Sequence, residues 1–272
     1  MSLRIRVATA AVAATASLAL AGPAAAAFAP AATAPVHPGV MTYTDGAQCT
    51  ANFVFTNSRS VYIGQAAHCS GTGGSTETNG CEAASLPIGT PVEVRGASRP
   101  GRLVYNSWRT MQAKGEEDPD TCQYNDFALV KLDPADDYER TNPSIPFWGG
   151  PTGLNTTGTA PLEKVLSYGN SKLRGGIKEL SPKEGLSVGT DAGGWNHPVY
   201  TVTPGVPGDS GSAFIDRQGR ALGVLSTLAI LPLPLSNGVS DLNLALKYLK
   251  ANTTFNVTLA KGTTPFRGGL LP

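Results

Sequence analysis

From Met41 onward the chain is a succession of short apolar, β-branched-rich runs: "CTANFVFTN", "SVYIGQ", "PVEVRG", "GRLVYNSW", "DFALVKL", "HPVYTVTP", "SAFID" and "ALGVLSTL". Turn residues close off each run, and that rhythm predicts an all-β sandwich or barrel. One segment breaks it. In "SDLNLALKYLKAN", Leu242, Leu246 and Leu249 recur at helical spacing behind Ser240 or Asp241 as N-cap. This predicts one C-terminal helix with its leucine stripe in the core. Residues 69–85 and 112–122 read as long polar loops. The acidic cluster of the second reads as solvated surface, because it lacks the alternating oxygen-ligand spacing of a calcium loop.

Upstream, Arg4 and Arg6 precede an Ala-rich apolar stretch from Val7 to about Ala21, followed by small residues. That is the layout of a secretory signal peptide over residues 1–27. The stretch is short for a membrane span of about 20 residues. Residues 28–40, rich in Ala and Pro and without periodicity, are expected to form a disordered leader or short pro-segment. The folded domain is then 41–272. An N-terminal half of about 41–145 and a C-terminal half of about 160–250 meet in the Pro, Gly and Thr-rich stretch 142–161.

Composition narrows the function. Charged residues are only 15% of the chain, and the 21 Lys and Arg, two of them in the leader, face 20 Asp and Glu. A near-neutral exported chain gives no basis for a nucleic-acid partner or a membrane anchor in the mature form. Cys49, Cys69, Cys81 and Cys122 contain no Cys-x-x-Cys pair, so two disulfides are expected and no metal site, with three pairings open on spacing alone.

Three residues carry candidate chemistry. His68 follows an apolar run in "IGQAAHCSG", Asp126 opens the run "DFALV", and Ser210 sits in Gly208-Asp209-Ser210-Gly211. A serine hydroxyl needs a histidine base to act as a nucleophile at neutral pH, and that base needs a carboxylate to fix its tautomer. His197, before Pro198, is expected to be a surface residue.

The segments "AAHC", "NDFALV" and "GDSGS", in that order, resemble the signature segments of the chymotrypsin/trypsin family of serine peptidases. The likeness runs from about Met41 to Asn252. It implies two orthogonal antiparallel six-stranded β-barrels with a C-terminal α-helix, and a cleft between them. It also implies a secreted, monomeric serine endopeptidase acting on polypeptides without a cofactor. His68 becomes the general base, Asp126 its orienting partner and Ser210 the nucleophile, with the N–H groups of Gly208 and Ser210 as oxyanion hole. The resemblance further implies Cys49–Cys69 and, with it, Cys81–Cys122.

The family pattern is broken in four places. No Ile-Val-Gly-Gly-like segment is present to pair with Asp209, whose partner is either an N-terminus cut between Ala27 and Met41 or an internal Arg. Val206 replaces a cysteine frequent in the family. Pro204 stands at the base of the specificity pocket, where trypsin-like members have Asp. In the strand Ser226-Thr227-Leu228, Leu228 replaces a glycine, and Leu225 stands where glutamyl-specific members carry histidine. A pocket of Pro204, Ser226, Thr227 and Leu228 implies preference for small or medium uncharged side chains over Arg or Lys. The alternative, from a different class, is a binding or adhesion protein that retains the fold without the activity.

Overall fold

The computed structural model describes residues 27–73, 78–228 and 236–269, so residues 1–26 of the expected signal segment, residues 74–77 of the first polar loop and the 229–235 run lie outside the described residues. The first half contributes β1 (Met41–Thr44), β2 (Ala47–Thr50), β3 (Val54–Thr56), β4 (Val61–Gln65), β5 (Pro91–Val94), β6 (Gly101–Asn106), α1 (Ser107–Lys114), α2 (Pro119–Tyr124) and β7 (Ala128–Lys131). The second half contributes β8 (Lys164–Tyr168), β9 (Pro182–Ser187), β10 (Asn196–Thr201), β11 (Ala213–Asp216), β12 (Ala221–Leu228), β13 (Asn237–Asp241) and α3 (Leu242–Asn252), followed by β14 (Thr258–Leu259). No helix among the described residues is long and apolar enough to cross a membrane.

The second half closes into a six-stranded barrel in the order β10-β13-β12-β11-β8-β9. The first half differs from the six-stranded barrel expected of it. It is an eight-stranded half-barrel sheet in the order β14-β3-β4-β7-β6-β5-β1-β2. β14 adds to one edge by pairing Thr258 with Thr56. At the other edge β2 bonds to the second half: the Thr50 N–H donates to the Ser210 carbonyl at 2.8 Å.

β4, β11 and β13 are buried at every position because both of their faces are covered. Val54, Val61, Ile63, Ala128 and Val130 fill the interior of the first sheet. Their alternating neighbours Phe53, Phe55, Tyr62, Phe127 and Leu129 face a second cluster between the halves, where they meet Leu166, Ala213, Ile215, Val224 and α3. In the closed barrel Phe214, Leu222 and Leu225 turn inward with Val165, Val199 and Val239. Period-two alternation thus distributes one run between two cores.

Asp241 caps α3, its carboxylate accepting from the Leu244 N–H at 2.7 Å. Two further helices lie in stretches read as strand end and loop. Asn106 caps α1, which ends at Gly115 in the left-handed region (φ 64°) and packs Trp108 and Met111 against Ala67 and Ala83. Asp118 caps α2, with Pro119 in its first turn.

Residues 28–40 are packed, not disordered. Phe28 stacks on Tyr138 with centroids 4.9 Å apart, and Val36 forms a parallel bridge with Thr141. Backbone bonds to residues 138–142 hold this segment, so it has no amphipathic period to reveal it.

Phe214 is wholly buried inside the closed barrel. Phe214→Ala is expected to lower stability by about 3–5 kcal/mol, measured as a fall in the urea midpoint without a change in slope.

Candidate active site

His68 lies in the single helical turn Ala67–Ser70 after β4. The Asn106 side-chain amide fixes this turn by donating to the Ala67 carbonyl at 3.0 Å and to Ser70 Oγ at 2.9 Å. The Cys49–Cys69 disulfide ties the turn to β2, and Cys81–Cys122 joins the loop after it to α2. The Cys49 and Cys69 sulfurs beside His68 are therefore bonded to each other and offer no thiolate to a metal.

Asp126 precedes β7 and is buried. Its carboxylate accepts from the His68 N–H at 2.9 Å, meets His68 Nδ1 at 2.6 Å and accepts from Ser226 Oγ at 2.5 Å. With Nδ1 committed to Asp126, Nε2 is the imidazole nitrogen left to act elsewhere. Burial pushes the His68 pKa down, but the charge and hydrogen bond of Asp126 outweigh it and hold it above 6.5. Burial pushes Asp126 up, yet His68 and the donated hydrogen bonds hold its carboxyl below the ordinary value.

Ser210 is tied through β2 to the turn that bears His68. The Thr50 N–H donates to the Ser210 carbonyl, and a Cβ at Gly211 (φ +85°) would lie 2.6 Å from the Thr50 carbonyl and 3.0 Å from the Ala66 nitrogen. Only glycine permits that approach. Among the described residues, Ser210 Oγ and His68 make no hydrogen bond.

The backbone donors of 205–212 are almost fully used. The Gly205 N–H donates to Asn237 Oδ1, and that of Val206 to Asp209 Oδ2. Those of Asp209, Gly211 and Ser212 donate to the carbonyls of Val206, Leu225 and Asp209. Pro207 has none. The N–H groups of Gly208 and Ser210 are left without an acceptor among the described residues.

Asp209 is fully buried and internally paired. Its carboxylate contacts Arg174 and lies 2.9 Å from Lys183 Nζ, and it accepts from the Ser171 N–H at 3.1 Å. Burial raises the Asp209 pKa, but the Arg174 hydrogen bonds and the charge of Lys183 lower it below the ordinary value. Burial, aided by Arg174, outweighs Asp209 at Lys183 and lowers that ammonium's pKa.

The pocket residues divide. The Pro204 carbonyl accepts from Lys183 Nζ at 2.9 Å. Ser226 directs its hydroxyl to Asp126 instead of toward a substrate. Thr227 faces Gly238, where a Cβ would meet Thr227 Oγ1 at 2.4 Å. Leu228 pairs through its backbone with Asn237, and its side chain lies outside the described residues. Asn237 and Lys183, two polar residues inside barrel strands, were missed because nothing in their own runs marks them. His197 is not on the surface. It is fully buried, with Nε2 2.9 Å from Asp241 Oδ2 and Nδ1 3.0 Å from Thr190 Oγ1. Pro198 follows it within the paired strand β10, not in a turn.

The sequence matches no protein-family model and no curated protein. In structure the chain is similar to protease A of Thermobifida fusca at 17% identity and TM-score 0.52, over 84% of this chain and 99% of that one. It is also similar to the Nocardiopsis protease NAPase at 17% identity and TM-score 0.48, over 82% of this chain and 98% of that one. The chain has the trypsin-like two-barrel fold, its first barrel present as a half-barrel sheet.

Because two cations share one carboxylate, removing the carboxylate is expected to cost more than removing either cation. Asp209→Asn should destabilise by about 3–5 kcal/mol, as breaking a buried pair does, and Lys183→Met by less, since Arg174 still neutralises Asp209. Chemical denaturation of both variants checks the order.

Proposed function

We propose that this chain is a secreted serine endopeptidase that cleaves polypeptides through Ser210, His68 and Asp126. The observation that carries the reading is the conjunction of a bonded His68–Asp126 pair with a serine turn, tied to it through β2, in which the N–H groups of Gly208 and Ser210 lack an acceptor among the described residues. His68 Nε2 takes the Ser210 proton as Oγ attacks the peptide carbonyl carbon. The oxygen that becomes negative accepts from the Gly208 and Ser210 N–H groups, which need no reorientation at the moment of reaction. His68 then gives the proton to the departing amine nitrogen. A water, deprotonated at the same nitrogen, releases the acyl group and regenerates Ser210. Every proton passes through His68, so the chemistry requires no cofactor.

The pocket reading follows from charge. Pro204, Ser226, Thr227 and Leu228 contribute no carboxylate, and the Lys183 ammonium bonds the Pro204 carbonyl from beneath. Small or medium uncharged side chains are the substrates this favours over Arg or Lys. A peptide-library cleavage profile dominated by Arg or Lys would count against it.

A fluorophosphonate probe should label the wild type stoichiometrically and leave Ser210→Ala and His68→Ala unlabelled. Absence of label on folded wild type would instead support a binding or adhesion protein. The base must be neutral to act, and its pKa is raised from 6.5. The acidic limb of kcat/KM is therefore expected to have its midpoint above that value. Asp126→Asn should move the limb to lower pH and reduce kcat roughly ten-thousand-fold.

A further inference from the structure

We propose that Ser171 is a positioning residue that sets the oxyanion hole by holding the Pro207–Gly208 peptide in one of two orientations. The inference rests on the serine peptidase reading of the same site.

Residues Val206 to Asp209 form a tight turn closed by the Asp209 N–H donating to the Val206 carbonyl at 2.8 Å. Pro207 and Gly208 are its two central residues, and Gly208 has φ +97°. A proline followed by a glycine of positive φ is the type II turn. Type I and type II turns share the same closing bond and differ by a flip of the central peptide. In this chain that peptide joins Pro207 to Gly208. Being trans, it points its carbonyl and its N–H in opposite directions. Whatever holds the Pro207 carbonyl therefore aims the Gly208 N–H.

Ser171 holds it. Its Oγ donates to the Pro207 carbonyl at 2.5 Å, and its own N–H donates to Asp209 Oδ1. The side chain is buried, and the same Oγ accepts from the Leu173 N–H at 3.1 Å, which fixes its rotamer. The Gly208 N–H, directed away from Ser171, is left without an acceptor among the described residues. In the flipped turn the Pro207 carbonyl would leave Ser171 and occupy the side from which the N–H now points, placing an oxygen where negative charge develops. The next peptide is held independently. The Gly208 carbonyl accepts from Gln48 Nε2 at 2.9 Å and from Thr50 Oγ1 at 2.8 Å. The Asp209 carbonyl accepts from Ser212 Oγ at 2.7 Å, which fixes the Ser210 N–H by the same geometry. Only the first of the two candidate donors depends on Ser171.

The test compares wild type, Ser171→Ala, Ser171→Cys and Ser171→Thr as full chains, for peptide hydrolysis and for inhibition by a peptide aldehyde, whose hemiacetal at Ser210 presents the same oxyanion. Losing one such donor lowers kcat by about 10²–10³. Partial flipping in Ser171→Ala should lower kcat roughly ten- to hundred-fold, with KM within about twofold and aldehyde affinity falling in step with kcat. Ser171→Thr, which keeps the hydroxyl, should recover most of the loss, and Ser171→Cys, a weaker donor, should fall between. Unchanged kcat and aldehyde affinity in a folded Ser171→Ala overturns the proposal. So does a loss confined to KM. If Ser171→Ala does not fold, wild-type kcat in Ser171→Cys overturns it equally. Failure of the wild type to react with the fluorophosphonate probe strikes at the peptidase reading itself and is read separately.

Discussion

A carboxylate buried immediately before the candidate nucleophile has to be neutralised where it stands, and much of the second half is arranged around that need. Asp209 cannot reach solvent, so Arg174 from the loop after β8 and Lys183 from β9 approach it from within the fold. An isolated buried charge costs several kcal/mol even after relaxation. The turn from Val206 to Ser210 is therefore held wherever its carboxylate is held. The N–H groups of Ser171 and Val206 complete the shell. This internal pairing supplies the counter-charge from the chain's own side chains.

The histidine and the serine lie on different halves, and β2 joins them. One end of this strand is bonded through Cys49 to the turn bearing His68. Its side chains and backbone, Gln48 and Thr50, hold the carbonyls of Gly208 and Ser210. A strand that lacks a ladder partner on one edge satisfies its polar groups on the neighbouring half. The open first sheet and the alignment of the two halves are one arrangement viewed from two sides.

What the sequence made legible was what depends on local pattern. The strand runs and the Asp241 cap of α3 show in composition and spacing, and the meeting of His68 with Asp126 shows in motif. α1 and α2 were equally readable from Asn106, Gly115 and Asp118-Pro119, but the apolar beginning of one and the acidity of the other masked them. Residues 28–40 are held by backbone bonds and by a few aperiodic apolar side chains, Phe28, Val36 and Val40, so no periodic signature marks them. Lys183 and His197 are single polar residues inside strands, and only the closure of the barrel reveals what each one faces. Pro207 lies in the sequence directly before Gly208. In three dimensions it is the second residue of the turn that orients Gly208.

β14 has a consequence for the order of assembly. Thr258 and Leu259 pair with Thr56 and Phe55, so the last strand among the described residues completes the sheet that the first strands begin. Val257 and Leu259 also lie against the hydrophobic layer between the halves. As the chain emerges from the ribosome, the N-terminal sheet therefore has one edge and part of one face uncovered until Leu259 has been synthesised. Contacts between such distant parts of the chain form slowly, because the whole intervening loop must be closed first. An unpaired strand edge is open to pairing with another chain, so this edge of the N-terminal sheet is protected only once residues 258–259 have joined it.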